Sequence, residues 1–86
     1  MNDLVKIMTD GAMKAAILHG REKGITNDNM YDAMVVISHK LQEIMKVEWQ
    51  EFMDTIKDAT EAKMGESMYK TIMNTYCNSW AVKALS

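Results

Sequence analysis

The feature that most constrains this chain is its central stretch, residues 25–64, which contains neither glycine nor proline. Proline, the strongest helix breaker, is absent from the whole sequence. Apolar residues recur along the stretch in two helical phases that are offset by one residue. The first phase comprises Met30, Met34, Ile37, Leu41 and Ile44, and the second comprises Met45, Trp49, Phe52, Ile56 and Ala59. This pattern predicts either one helix that runs to about Met64 or two helices that meet near residues 46–48.

The choice between one helix and two decides the expected architecture. A single helix over this stretch would be about 55 Å long at 1.5 Å per residue, which is long for so small a domain. It would leave apolar surface that only a second chain could cover. We favour the single helix because no residue in the stretch breaks one. The predicted fold is an all-α, dimeric bundle of three helices, or of four if the centre breaks, with residues 1–86 forming one domain.

The segments on either side of the central stretch are also predicted to be helical. The first helix is expected over about residues 3–23, with an apolar stripe at Leu4, Met8, Gly11, Ala15 and Leu18. Gly11 lies among alanines, and such a patch of small residues lets a second helix approach closely. The last helix is expected to start at Glu66 or Ser67, directly after Gly65. Its apolar face comprises Tyr69, Ile72, Met73, Tyr76, Cys77, Trp80 and Leu85.

Three local signals predict a corner between the first two helices. Gly24 suits the left-handed position just past a helix end, and Thr26 can cap the amino end of the next helix. Ile25 and Met30 stand one residue before that cap and four after it, which is the spacing of a hydrophobic staple. We therefore predict a helix corner built from Gly24, Ile25, Thr26 and Met30.

Residues 20–34 resemble the core of a helix-turn-helix motif, and the likeness does not extend beyond them. The resemblance lies in a small residue at Gly20, the turn glycine Gly24, the aliphatic Ile25, the hydroxyl of Thr26 and the apolar Met30. It implies that the second helix enters the major groove of DNA.

The residues left to read DNA in such a motif would be Asn27, Asn29 and Tyr31. Asp28 and Asp32 lie in the same turns, and two carboxylates would repel the phosphates. The charge pattern favours a structural corner, so a DNA-binding regulator is the alternative function and not the preferred one.

Acidic residues recur at steps of three or four in the second half of the central stretch. They are Glu48, Glu51, Asp54, Asp58 and Glu61, here called the acidic face. One interpretation is a solvated outer surface, as charge stripes usually are. The other is a docking surface for a basic partner protein, because complementary charge speeds and orients association.

Large side chains near the phase change are the best sequence candidates for self-association. Met45, Trp49 and Phe52 fall near the middle of the long helix. Buried aromatic residues often anchor interfaces, because they bury a large area at low entropic cost. These three residues are therefore predicted to form the contact with a second copy.

No pattern in the sequence indicates catalysis, a cofactor or a metal. Two histidines on different segments and the single cysteine, Cys77, do not supply the three or four ligands that zinc needs. A formal charge of −2 disfavours nucleic acid as a partner. The lone cysteine, the lack of a visible signal peptide and the short apolar runs lead us to expect a cytoplasmic protein with no membrane contact.

Together these observations predict a helical protein–protein interaction module that is not an enzyme. Such a module would act as a regulatory, adaptor or inhibitory protein. The chain carries ten methionines, which we expect mostly to fill the core, the alternative being a surface that adapts to its partners. A compact, proline-free and methionine-rich chain would also suit an accessory protein of a phage or mobile element.

Overall fold

A computed structural model describes residues 3–86, and these residues form three α-helices and no strands. The helices are α1 (Asp3–Arg21), α2 (Met30–Glu61) and α3 (Glu66–Ala84). The all-α prediction is confirmed. The prediction of one continuous central helix is confirmed as well, since α2 passes through residues 46–48 without a break.

The two apolar phases of the sequence merge into one buried face of α2. The buried residues are Ile37, Leu41, Met45, Phe52 and Ala59, at successive steps of four, four, seven and seven. With 3.6 residues per turn, a step of four rotates the face by about 40° and a step of seven rotates it back by about 20°. The stripe therefore crosses from the first phase to the second at Met45 without leaving one side of the helix.

Helix α2 runs antiparallel to both of its neighbours. The hydroxyl of Thr9, near the start of α1, lies 3.6 Å from the Met45 sulfur. At the other end of α1, Arg21 reaches Asn27 just before α2 begins. Side-chain contacts also run from Tyr69 near the start of α3 to Thr60 near the end of α2. Each loop therefore reverses the chain direction, and α1 and α3 run the same way along α2.

An aromatic cluster joins α2 to α3 at the centre of the core. The ring centroids of Trp49, Phe52, Tyr76 and Trp80 lie 5.2–6.2 Å apart in five pairs. Phe52 and Trp80 are fully buried. Such aromatic pairs contribute about 0.5–1.5 kcal/mol each beyond the apolar area that they bury. This cluster explains how α3 is held despite its many weak helix-forming residues.

Small residues let α1 approach α3 closely, as the sequence predicts. A methyl group added at Gly11 would lie 2.9 Å from the Cys77 sulfur, closer than carbon and sulfur pack. The prediction for Leu18 is wrong, because its side chain is 69% exposed. The buried residues of α1 step uniformly by four, which rotates the core-facing side away from Leu18. They are Met8, Ala12, Ala16 and Gly20.

The corner between α1 and α2 depends on Gly24 and on an unexpected residue, Asn29. Gly24 has a φ of +105°, as its predicted left-handed role requires, and the Ile25 amide donates to the Gly20 carbonyl at 2.9 Å. The predicted cap at Thr26 is wrong, because α2 begins at Met30 and not near residue 27. Instead the Asn29 side chain accepts from the Thr26 amide at 2.7 Å and donates to the Gly24 carbonyl at 3.0 Å. The Asn29 side chain can do both because its amide oxygen accepts and its NH₂ group donates.

In the loop between α2 and α3, the left-handed residue is Lys63 and not the glycine. Lys63 has a φ of +54°, and its amide donates to the Thr60 carbonyl at 3.0 Å. The Met64 amide donates to the Ala59 carbonyl at 3.1 Å, which completes a Schellman motif. Gly65 is extended and directly precedes α3, so the predicted start of the last helix at Glu66 is confirmed.

Candidate functional site: the cleft between the first two helices

Within residues 3–86, no three His, Cys, Asp or Glu residues are placed to hold a metal ion. Cys77 is buried, and this burial raises the pKa of its thiol, which makes it a poorer nucleophile. None of the described helices carries an apolar stretch long enough to cross a bilayer. The remaining candidates for a functional site are surfaces that could bind a partner.

An open cleft of about 410 Å³ lies between α1 and α2. We call it the Trp49 cleft. Its lining residues are Val5, Thr9, Gln42, Met45, Lys46 and Trp49. Most of the lining is apolar, and the exposed side chains of Gln42 and Lys46 stand at its rim. Apolar clefts with a few polar groups are the usual form of binding sites.

Helical spacing explains how the two walls of the Trp49 cleft arise. Val5 and Thr9 are one turn apart on α1, so they share a face. The Thr9 hydroxyl donates to the Val5 carbonyl at 2.7 Å, which leaves the threonine methyl group to contribute apolar surface. On α2 the lining residues follow the i, i+3, i+4, i+7 pattern of one helix face, from Gln42 to Trp49.

Two aromatic rings of the core, on the side away from the cleft, fix the orientation of Trp49. Its ring stacks on Trp80 at 6.2 Å between centroids and tilts against Phe52 at 5.2 Å. Trp49 itself is only half-buried, since part of the ring lines the cleft. A rigid, partly exposed tryptophan offers large contact area without a further loss of side-chain freedom on binding.

The residues predicted to drive self-association are divided by the structure. Met45 and Phe52 are only 6% and 0% exposed, because their own chain buries them against α1 and α3. For these two residues the predicted surface contact is wrong, since the monomer core already uses them. Trp49 keeps the most accessible surface of the three, and part of that surface lies in the cleft.

The acidic face loses one of its five members in the structure. The carboxylate of Glu48 accepts from the Trp80 indole N–H at 3.3 Å and pairs with Lys83. Glu48 is therefore a half-buried anchor for α3 and not part of an open acidic surface. The remaining members, Glu51, Asp54, Asp58 and Glu61, are exposed.

The residues that the helix-turn-helix resemblance assigns to DNA lie around the α1–α2 loop. The side chain of Asn29 is held by two loop backbone groups, and Asn27 accepts from Arg21 at 3.4 Å. Tyr31 is exposed on the first turn of α2. Because α1 and α2 form an antiparallel hairpin, the geometry adds no support to the DNA-binding alternative.

Most of the cleft was not identified from the sequence. Val5, Thr9, Gln42 and Lys46 belong to no motif, and only Trp49 and Met45 were candidates. The usable signal was the change of phase at Met45. Where an apolar stripe drifts around a helix axis, as this one does at Met45, a single packed neighbour does not cover both of its edges.

Comparison with known proteins adds no relative: no family model, curated protein or solved structure matches this chain.

Proposed function

We propose that this protein is a non-catalytic interaction module that binds a partner protein through the Trp49 cleft. The observation that carries this proposal is a half-exposed tryptophan, held rigidly by two core rings, on the wall of an open apolar cleft. An apolar side chain of the partner would fill the cleft, while Gln42 and Lys46 at the rim would meet polar groups. A regulatory, adaptor or inhibitory role requires no more than such binding.

Site-specific photo-crosslinking in the source cells tests the proposal. A photoreactive amino acid at Gln42, on the rim, should crosslink a defined protein. The same group at Lys70, an exposed α3 residue outside the cleft lining, should not crosslink that protein. If position 42 gives no specific crosslink, or the same product as position 70, the proposal is wrong.

A matched pair of valine substitutions strengthens the test. Val5→Lys places a charge in the cleft at a position that is already 40% exposed, so the fold should tolerate it. Val82→Lys makes the same change at a 48% exposed position on α3, outside the cleft. Desolvating a charge in an apolar contact is costly, so Val5→Lys should abolish the crosslink from position 42 and Val82→Lys should preserve it. Equal yields in the two variants would contradict binding in the cleft.

We also propose that the chain forms homodimers. The support is the number of large apolar side chains that remain exposed on one small chain, among them Leu18, Tyr31, Val36 and Val47. A second copy would cover part of this surface.

A further inference from the structure

A stripe of four residues on the solvent side of α2 has the spacing of a helix–helix contact. Val36, Lys40, Glu43 and Val47 follow one another at steps of four, three and four, and we call them the outer stripe. This is the seam spacing of a two-helix coiled coil. Val36 is 54% exposed and Val47 is 80% exposed, so neither serves the core of its own chain. Val47 is the most exposed large apolar residue among those described.

A shallow apolar groove adjoins one end of the outer stripe. Its volume is about 390 Å³, and its α2 wall includes Ala33, Val36, Ile37 and Lys40. These four positions are i, i+3, i+4 and i+7, the set that forms a hole for an inserted side chain in knobs-into-holes packing. Leu85, just past the end of α3, closes the groove on its other side.

We propose that two copies of this chain pair antiparallel through the outer stripes of their α2 helices. In this register Val47 of each copy enters the groove beside Val36 of the other. The arrangement is two-fold symmetric, so the same contact occurs twice and closes the dimer. It rests on the proposed self-association and is independent of the Trp49 cleft.

Charge complementarity selects a second copy as the occupant. The register that places Val47 against Val36 also places Glu43 against Lys40, twice in each dimer. Glu43 and Lys40 are both exposed, and neither forms an ion pair with another described side chain. Lys40 instead donates to the Ser86 carbonyl at 3.1 Å, at the edge of the groove. Helix α2 of each copy therefore supplies the inserted side chain, Val47, and one wall of the groove that receives it. It also supplies the cation Lys40 and the anion Glu43.

The ends of the paired helices are also complementary in this register. Asp54 of one copy lies opposite Asn29 of the other, where α2 begins. Asn29 makes no side-chain cap hydrogen bond there, so the first turn of α2 keeps backbone N–H groups without a side-chain partner at the cap. A carboxylate is favoured at the positive end of a helix dipole. The acidic second half of each α2 thus extends toward the amino end of its partner.

Sedimentation equilibrium of the purified chain, from low to high micromolar concentration, tests the proposed dimer. The wild type should dimerise, and Val47→Lys should raise the dimer dissociation constant at least tenfold, because each dimer loses two buried valines. Val82→Lys, a comparable change on α3, should leave the constant unchanged. Circular dichroism should show the same helix content in all variants, because the substituted side chains are exposed.

Charge reversal tests the register itself. Lys40→Glu should weaken the dimer, because it faces Glu43 of the partner with a like charge. Combining Lys40→Glu with Glu43→Lys should restore dimerisation to near the wild-type constant. A wild type that stays monomeric at high micromolar concentration would overturn both the self-association and this interface. A dimer that is insensitive to Val47→Lys, is equally weakened by Val82→Lys or is not rescued by the double reversal would overturn this interface alone.

Discussion

Each of the two loops of the bundle contains one residue with a positive φ, which is a glycine in the first loop and a lysine in the second. Gly24 adopts a φ of +105°, which costs glycine nothing because it has no Cβ. Lys63 adopts +54° at the corresponding position of the second loop, where a side chain makes this conformation unfavourable. Gly24 is therefore required by geometry, whereas Gly65 is not.

Replacing each of these glycines with alanine separates the two roles. Gly24→Ala should lower the free energy of unfolding by about 1–2 kcal/mol, because alanine is strained at this φ although space is open around it. Gly65→Ala should change it by no more than about 0.5 kcal/mol, because its φ is −76° and nothing lies within 4 Å of the added methyl group, while the preference for glycine over alanine at a helix N-cap offsets the entropy gain. Urea unfolding followed by circular dichroism measures both, and equal losses would contradict the loop geometry.

The conformations of the two loops could be predicted from the sequence only in part. Gly24 carries a clear signal, because glycine is the usual residue in the left-handed position after a helix. Lys63 carries none, because the Schellman hydrogen bonds to Thr60 and Ala59 impose its conformation against its own preference. The role of Asn29 was hidden for a related reason. An asparagine that bridges loop backbone looks the same in sequence as one that caps a helix.

Helices α1 and α3 approach each other closely where Gly11 of α1 faces the thiol of Cys77 on α3. Cys77 contacts the backbone and sulfur of Met8 at 3.6 and 3.8 Å, and its sulfur occupies the space that a side chain at Gly11 would need. This contact explains why the chain accepts a poor helix former within α1. The cysteine acts as a small buried apolar group and not as a reactive one.

A double-mutant cycle tests this close approach. Gly11→Ala alone should lower the free energy of unfolding, because overpacking costs about 1–3 kcal/mol and exceeds the helix-propensity gain of about 1 kcal/mol. In a Cys77→Ala background the same substitution should raise it by about 1 kcal/mol, since the sulfur is gone. Urea unfolding of the four proteins gives the coupling. The contact between α1 and α3 would be refuted if Gly11→Ala had the same effect in both backgrounds.

Local sequence predicts where the helices form. It does not predict which side chains of one helix contact another helix. The absence of breakers in residues 25–64 correctly predicted a continuous α2, because propensity and periodicity agree there. The role of Glu48 was misassigned because its spacing matches the acidic face. Its partners, Trp80 and Lys83, come from another helix more than thirty residues away. Spacing along one helix cannot show which of its charges a neighbouring helix will bury.

In the whole molecule, one chain completes its own core and leaves two different apolar surfaces exposed. Met45 and Phe52 close the core against α1 and α3, so α2 does not need a second chain to cover its buried face. The surfaces that remain are the Trp49 cleft on the α1 side of α2 and the outer stripe on its solvent side. We propose a heterologous partner for the cleft and a second copy for the stripe, so both could be bound at once.

The candidate site depends on whole-molecule packing, which explains why little of it could be predicted. The walls of the Trp49 cleft come from helices whose relative rotation is fixed by the aromatic cluster and by the contact between Gly11 and Cys77. Neither contact is local in sequence. Trp49 could be identified from the sequence because it is a large aromatic residue at the change of phase. Val5 and Thr9 line the cleft only because α2 packs beside them, and the sequence of α1 does not show this.

Nuclear magnetic resonance can show whether the partner binds in the Trp49 cleft. Proton–nitrogen spectra of the labelled chain would be recorded with and without the partner identified by crosslinking. If the partner binds in the cleft, the largest shifts will fall on the Trp49 indole and on the amides of Val5, Thr9 and Lys46. Largest shifts at Glu51, Asp58 and Glu61, with the Trp49 indole unmoved, would contradict it and assign binding to the acidic face.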